Sequence, residues 1–237
     1  PSSASEMLAN PYDNYLKGDA YGTVYAYRYA GLDAQGDPSV YNENGEVVSN
    51  VNVDNIAALV NKGQLTPKWQ GAFTLDLGWR RLSFYTKLVY YTGHALRNDV
   101  TPLYRNLFDR VDGTAVGGIH EDIARRWTTG NPDTDIPRMG VHDGYESFRN
   151  QQWKYADAHV LNASFLKVRN IGLSYDLPTT LIAPWGLQGV RLHAQVDNPF
   201  YWAACGHGID PERFDANQGS RAYSQLTSYM LGLTVNF

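Results

Sequence analysis

The chain has 237 residues, enough for one large domain or two small ones. Its net charge of -4, with no basic stripe, argues against nucleic acid as a partner, and the single Cys205 excludes an intramolecular disulfide framework. No run approaches the roughly 20 apolar residues of a membrane-spanning helix, which excludes helical spans but leaves open strands that cross with alternating polarity.

The 17 Tyr and 6 Trp are the unusual feature, because such rings gather at membrane interfaces and at carbohydrate- or peptide-binding surfaces. Pro1 to Ser5 carry neither the basic nor the apolar part of a secretion signal. The expectation is a chain that has lost a leader or is the tail of something longer. Tyr25, Tyr27 and Tyr29 alternate in a short predicted strand before Gly31. Asp54 can cap a short helix through Ile56, Ala57, Ala58, Leu59 and Val60, ended by Gly63.

The pattern then changes to period two. Near 70–79, Phe73, Leu75, Leu77 and Trp79 alternate with Thr74, Asp76 and Gly78. Past Arg80 and Arg81, a second strand near 82–92 places Leu82, Phe84, Leu88 and Tyr90 on one face. The short connection predicts an antiparallel hairpin with Asp76 and Lys87 on its polar side. A helix is predicted over Glu121 to Trp127, in a long segment before the next strand, near 165–176. There Ile171, Leu173 and Tyr175 share a face with Lys167 and Arg169. Either a bulge near Asn170 resets the register, or the upper half projects beyond lipid.

The strand near 189–198 alternates cleanly, with Arg191, His193, Gln195 and Asp197 on the polar side. The last, near 228–237, carries Tyr229, Leu231, Leu233, Val235 and Phe237 on one side and Met230, Gly232, Thr234 and Asn236 on the other. Outer-membrane barrels end in this way, with the apolar face to lipid and the small polar face to a wet lumen. An ordinary sheet strand is the alternative.

These strands are joined by a two-residue turn, then by about seventy, a dozen and thirty residues. Short turns at one end and long loops at the other follow the barrel rule of periplasmic turns and extracellular loops. If Phe237 is periplasmic, the extracellular loops lie near 1–68, 93–164 and 199–227. Trp79, Tyr175, Trp185 and Phe237 then fall near the periplasmic interface. Tyr90, Tyr91, Phe200, Tyr201 and Tyr229 fall near the outer one. About five strands cannot close a barrel, for which eight is the usual minimum, so the rest are expected outside this sequence.

The stretch from Phe165-Leu166-Lys167-Val168-Arg169-Asn170 to Leu177-Pro178 resembles a signature of SusC/RagA-type TonB-linked outer-membrane transporters. So do Val190 to Phe200, Gly208-Ile209-Asp210-Pro211-Glu212 and the closing Gly232 to Phe237. Tyr27-Arg28-Tyr29-Ala30-Gly31-Leu32-Asp33 with Gly36-Asp37-Pro38, and Arg126-Trp127-Thr128-Thr129-Gly130 with Asp135-Ile136-Pro137-Arg138, are similar to loops of the same family. Pro199 and Ala203-Ala204-Cys205 depart from its pattern. The resemblance implies an all-β fold: C-terminal antiparallel strands of a 22-stranded transmembrane barrel, with long extracellular loops carrying short helices. It also implies an N-terminal plug and a TonB contact, both absent from these residues, and a SusD-like surface lipoprotein as partner. The cargo would be oligosaccharide or peptide. Tyr229, Leu231, Leu233, Val235 and Phe237 would be the signal read by the barrel-assembly machinery.

Asp76, Lys87, Arg191, His193 and Gln195 are expected to face the lumen. Arg126, Trp127, Trp153 and Trp202 are the candidate substrate contacts in the loops. The alternative is a secreted all-β glycan-binding domain or glycoside hydrolase, for which Glu121, Asp122, Asp133, Asp135, Asp210, Glu212 and Asp215 would be available. No pair of these stands apart from loop acids, and His120-Glu121 lacks the second histidine of a zinc-protease helix. No catalytic residue, metal or cofactor is expected.

Overall fold

The computed structural model describes residues 3–98, 121–139, 147–206, 208–215 and 220–237. In chain order its strands are β1 (Thr23–Tyr27), β2 (Tyr29–Leu32), β3 (Pro38–Tyr41), β4 (Val47–Ser49), β5 (Leu59–Gln64), β6 (Trp69–Trp79), β7 (Leu82–Thr92) and β8 (Ala95–Arg97). There follow β9 (Val160–Asn162), β10 (Phe165–Asp176), β11 (Gly189–Ala203), β12 (Phe214–Asp215), β13 (Ser220–Arg221) and β14 (Ser228–Asn236). The chain divides into two compact units, one drawn from residues 1–66, 95–161 and 215–220, the other from 67–94, 162–214 and 221–237.

The first unit contains segments expected as loops, yet it has its own core. β1 pairs with β5, and β2, β3 and β4 form an antiparallel meander. All five residues of β1 are buried, so both of its faces are covered. Met7, Leu8, Tyr25, Tyr27, Val40, Val53 and Ala58 pack together. The predicted helix over 56–60 is instead a single 3-10 turn, Ile56–Ala58, running directly into β5. Asn55 caps it by accepting from the Ala57 amide. Asp54 instead accepts from the first turn of another helix, Ala4–Ala9, from the Ala4 amide through its carbonyl and from the Ser5 amide through its carboxylate, while Ser3 is that helix's N-cap. The predicted helix at Glu121 is likewise a 3-10 segment, Glu121–Arg125. Arg149 is wholly enclosed, with Nε 2.5 Å from Asp37 Oδ1, and Arg138 Nε lies 2.8 Å from the same oxygen.

The second unit is built on a five-stranded antiparallel sheet in the order β14-β11-β10-β7-β6. Its register turns each strand's alternation into rows. Trp79, Leu82, Tyr175, Leu192 and Leu233 align across all five strands, as do Leu77, Phe84, Leu173, Ala194 and Leu231. Between them runs Gly78, Ser83, Ser174, His193 and Gly232. Because successive side chains point to opposite faces, one face is apolar from edge to edge and the other polar.

The irregularity in β10 is a bulge: pairing with both neighbours shifts between Val168 and Asn170. β11 compensates at Asn198, whose φ is 49°, and Pro199. Pro199 lacks the N–H a ladder needs, and a bulge is where a strand tolerates that. Pairing then resumes at Val168 with Phe200 and continues to Phe165 with Ala203. The expected loop from 199 therefore starts five residues later. Beyond the bulge Tyr91 and Tyr201 lie in the rows of Phe165 and Lys167 and point to the polar face, not to an outer aromatic girdle. Tyr229 sits in a middle row with Val196 and Ile171, not at a rim.

Two glycines accept rings. A Cβ on Gly172 would overlap the Tyr85 ring on the polar face, and one on Gly71 would meet Tyr90 Cε1 at 2.7 Å on the apolar face. Each aromatic fills the gap that a glycine leaves in a strand.

Candidate functional site

The apolar face is uncovered. Phe73, Leu77, Trp79, Leu192, Leu231 and Leu233 are all exposed, Leu231 at 86%. Water-soluble surfaces rarely present a continuous patch of this kind. Trp69 and Trp79 share this face at the two ends of β6 and are 73% and 68% exposed. They are ten residue steps apart, about 33 Å along a strand. A tilt of about 40° projects this to about 25 Å, the height of the apolar band of an outer-membrane barrel between its aromatic girdles. Tyr90 and Trp202 accompany Trp69 at one end, and Tyr175 accompanies Trp79 at the other. No helix among the described residues is long and apolar enough to cross a membrane.

The polar face carries a hydrogen-bonded ladder. Arg191 donates twice to Asp176, at 2.7 and 3.0 Å. Ser174 Oγ lies 2.9 Å from His193 Nδ1, and His193 Nε2 lies 3.3 Å from Gln195 Oε1. Gln195 donates to Asp197 Oδ1 at 2.6 Å and accepts from the Tyr85 hydroxyl. The Tyr85 and His193 rings lie parallel. Asp76 and Lys87 stand exposed on the same face, in the rows of Gln195 and Asp197. The Ser174–His193 contact is not a nucleophile–base pair: the far histidine nitrogen meets an amide oxygen, not a carboxylate, and strand amides are consumed by the ladder. This arrangement offers exchangeable hydrogen bonds.

At the bulged end, the segment after β11 doubles back onto this face. Lys167 is 2% exposed and sits 3.0 Å from Asp210 and 2.9 Å from Glu212. Arg169, the extra residue of the bulge, donates to both Glu212 oxygens, one at 2.8 Å. Burial would raise the Glu212 carboxyl, but hydrogen bonds from Arg169 and Lys167 outweigh it and hold it below its ordinary range. Sequence reasoning missed this cluster. Its signal was two alternating charge pairs, Lys167 with Arg169 and Asp210 with Glu212.

The four candidate substrate contacts separate. Trp153 is 5% exposed and packs edge-on against Tyr29 and His159, so it belongs to a core. Trp202 is a strand residue beside Leu166 and Tyr90 on the apolar face, not a loop residue. Trp127 covers Gly36, whose φ is +81°, and its amide donates to Ile136 O at 2.8 Å. Arg126 is half-buried and donates to Ile123 O at 3.1 Å. In the same unit, Tyr29, Leu32, Arg125, Asp133 and Asp135 line an open cavity of about 490 Å³. Burial, then the Asp135 charge, pushes the Tyr29 hydroxyl up. His120 lies outside the described residues.

These features define a segment of a transmembrane β-barrel wall with attached loops. No family model matches the chain. It is similar to TonB-dependent receptor P3 of Formosa agariphila, 23% identical over 93% of this chain and 22% of that protein. TonB-dependent receptor P26 of the same organism is 25% identical over 98% of this chain and 24% of the relative. The RagAB peptide importer in its open-open state shares the fold at a TM-score of 0.66 and 23% identity, over 94% of this chain and 24% of that one. In the closed-closed state the TM-score is 0.65. The chain thus fits a C-terminal portion of a SusC/RagA-like, TonB-dependent barrel protein, and it spans between a fifth and a quarter of the curated relatives it matches.

Proposed function

We propose that the chain is part of an outer-membrane importer that takes up oligosaccharides or peptides, driven through TonB and working with a SusD-like surface lipoprotein. The observation that carries this is the two-faced sheet, apolar and exposed over a membrane-sized height, with a polar ladder on its reverse. In this reading Asp76, Lys87, Arg191, His193 and Gln195 line the lumen and offer hydrogen bonds that a solute can exchange. Phe237 lies at the periplasmic end, and the TonB contact belongs to another part of the parent protein. Tyr229, Leu231, Leu233, Val235 and Phe237 form the edge read during barrel assembly. Arg126 is the retained candidate for a loop contact with cargo.

Relatives named as receptors and a fold neighbour named as a peptide importer support transport over hydrolysis. The test is deletion of the parent gene in its host, followed by uptake of labelled oligosaccharides and of labelled peptides. Loss of one class, restored by the intact gene, is expected. Unchanged uptake of both, or recovery of the protein in the aqueous fraction without detergent, would refute the proposal.

A further inference from the structure

The connection between β6 and β7 is two residues, Arg80 and Arg81, and Arg80 has a φ of 55°. This left-handed region favours glycine, and a non-glycine residue held there is a reason to look for function. Both arginines are exposed, and no ion pair of either is found among the described residues. The neighbouring carboxylate of Asp176 is already taken by both donors of Arg191. Arg80 lies over the Trp79 ring, its guanidinium carbon 5.1 Å from the centroid, and Arg81 is within electrostatic reach of Asp176, so the tip of the hairpin carries two exposed cations, neither in an ion pair among the described residues.

They border a cavity of about 400 Å³ lined by Trp79, Arg80, Arg81, Leu82, Tyr175 and Pro178. Tyr175 also lines a second, apolar hollow of about 460 Å³ on the sheet's exposed face, with Leu173, Leu192, Leu231 and Leu233. Cations, interfacial rings and an apolar trough thus follow one another along the sheet, matching the headgroup, glycerol and acyl parts of a phospholipid. A soluble phosphate would use only the first of the three.

We propose that this end of the sheet binds an anionic phospholipid. The Arg80 and Arg81 guanidiniums take the phosphodiester by charge-assisted hydrogen bonds. Trp79 and Tyr175 flank the glycerol region, and an acyl chain lies in the trough over Leu173 and Leu231, one apolar row further in. This rests on the reading that the apolar face meets hydrocarbon.

The test uses the intact parent protein, purified in detergent, with phosphatidylglycerol retention read by native mass spectrometry. Inorganic phosphate, phosphatidylcholine and lipopolysaccharide are the competitors. Arg80→Gly is the decisive variant, because glycine suits the left-handed turn and removes the guanidinium. It should keep or raise the melting temperature while weakening phosphatidylglycerol retention about fivefold, and Arg80→Gln with Arg81→Gln should weaken it about 25-fold. Unchanged retention in the double variant overturns the proposal. So does displacement of the lipid by inorganic phosphate at equal concentration, or preferential retention of lipopolysaccharide. Failure of the underlying reading is seen separately, as wild-type protein that shows no heat-modifiable barrel form and leaves the membrane without detergent.

Discussion

Phe73 and Thr74 are adjacent on β6 and point to opposite faces, so arginine at each should give opposite outcomes. Phe73 is four steps from Trp69 and six from Trp79. At about 2.5 Å of height per step it lies within a few Å of the middle of a band about 25 Å tall. A lipid-facing arginine at that depth costs about 2–4 kcal/mol, a loss of about 30- to 700-fold in the folded fraction ratio. Thr74 pairs with Lys87 on the polar face. Thr74→Arg therefore meets only a like charge opposite, worth about 0.2–1 kcal/mol and weakened by salt. The assay is denaturant titration of the intact protein refolded into lipid vesicles, followed by heat-modifiable gel mobility. If Phe73→Arg and Thr74→Arg fall within about 0.5 kcal/mol of each other, the assignment of the two faces is wrong.

Phe237→Ala should lower the amount of intact parent protein in the outer membrane, read by quantitative blotting of membrane fractions; normal abundance and mobility would contradict an assembly role. Gly172→Ala forces the Tyr85 ring aside and should cost about 1–3 kcal/mol, with Tyr85→Ser in the same chain restoring most of it. In the first unit, Asp37→Ala breaks a buried ion pair with Arg149 and should cost about 3–5 kcal/mol by urea unfolding. Because the Glu212 carboxyl is depressed in the folded protein, its ion pairs contribute fully above the ordinary glutamate range, about 4.3, and are lost as pH falls through the depressed value. Protection of the amides over 208–213, taken relative to their intrinsic exchange rates at each pH, should therefore fall in acid, and Glu212→Gln should weaken that acid dependence.

Strand identity and facing needed only local information in this chain. The alternation through Phe73, Leu75, Leu77 and Trp79, and through Leu231, Leu233 and Val235, is a property of neighbours along a strand. The apolar side of each strand was readable from it before any pairing was known. The Lys167–Asp210 pair joins positions 43 residues apart, and no periodicity reports such a contact. Only pairing register showed that the bulge at Val168–Asn170 is matched at Asn198 and Pro199, which carries Trp202 onto the apolar face and turns Tyr201 to the polar one. In the same way Trp153, an aromatic in a polar stretch, reads as a surface contact until Tyr29 and His159 close around it. Sequence alone determined which side of each strand is oily, because that follows from a repeat of two. The tertiary structure decided which residues oppose one another, and so which charges are paired and which rings are enclosed, because those depend on chain segments that meet only after folding.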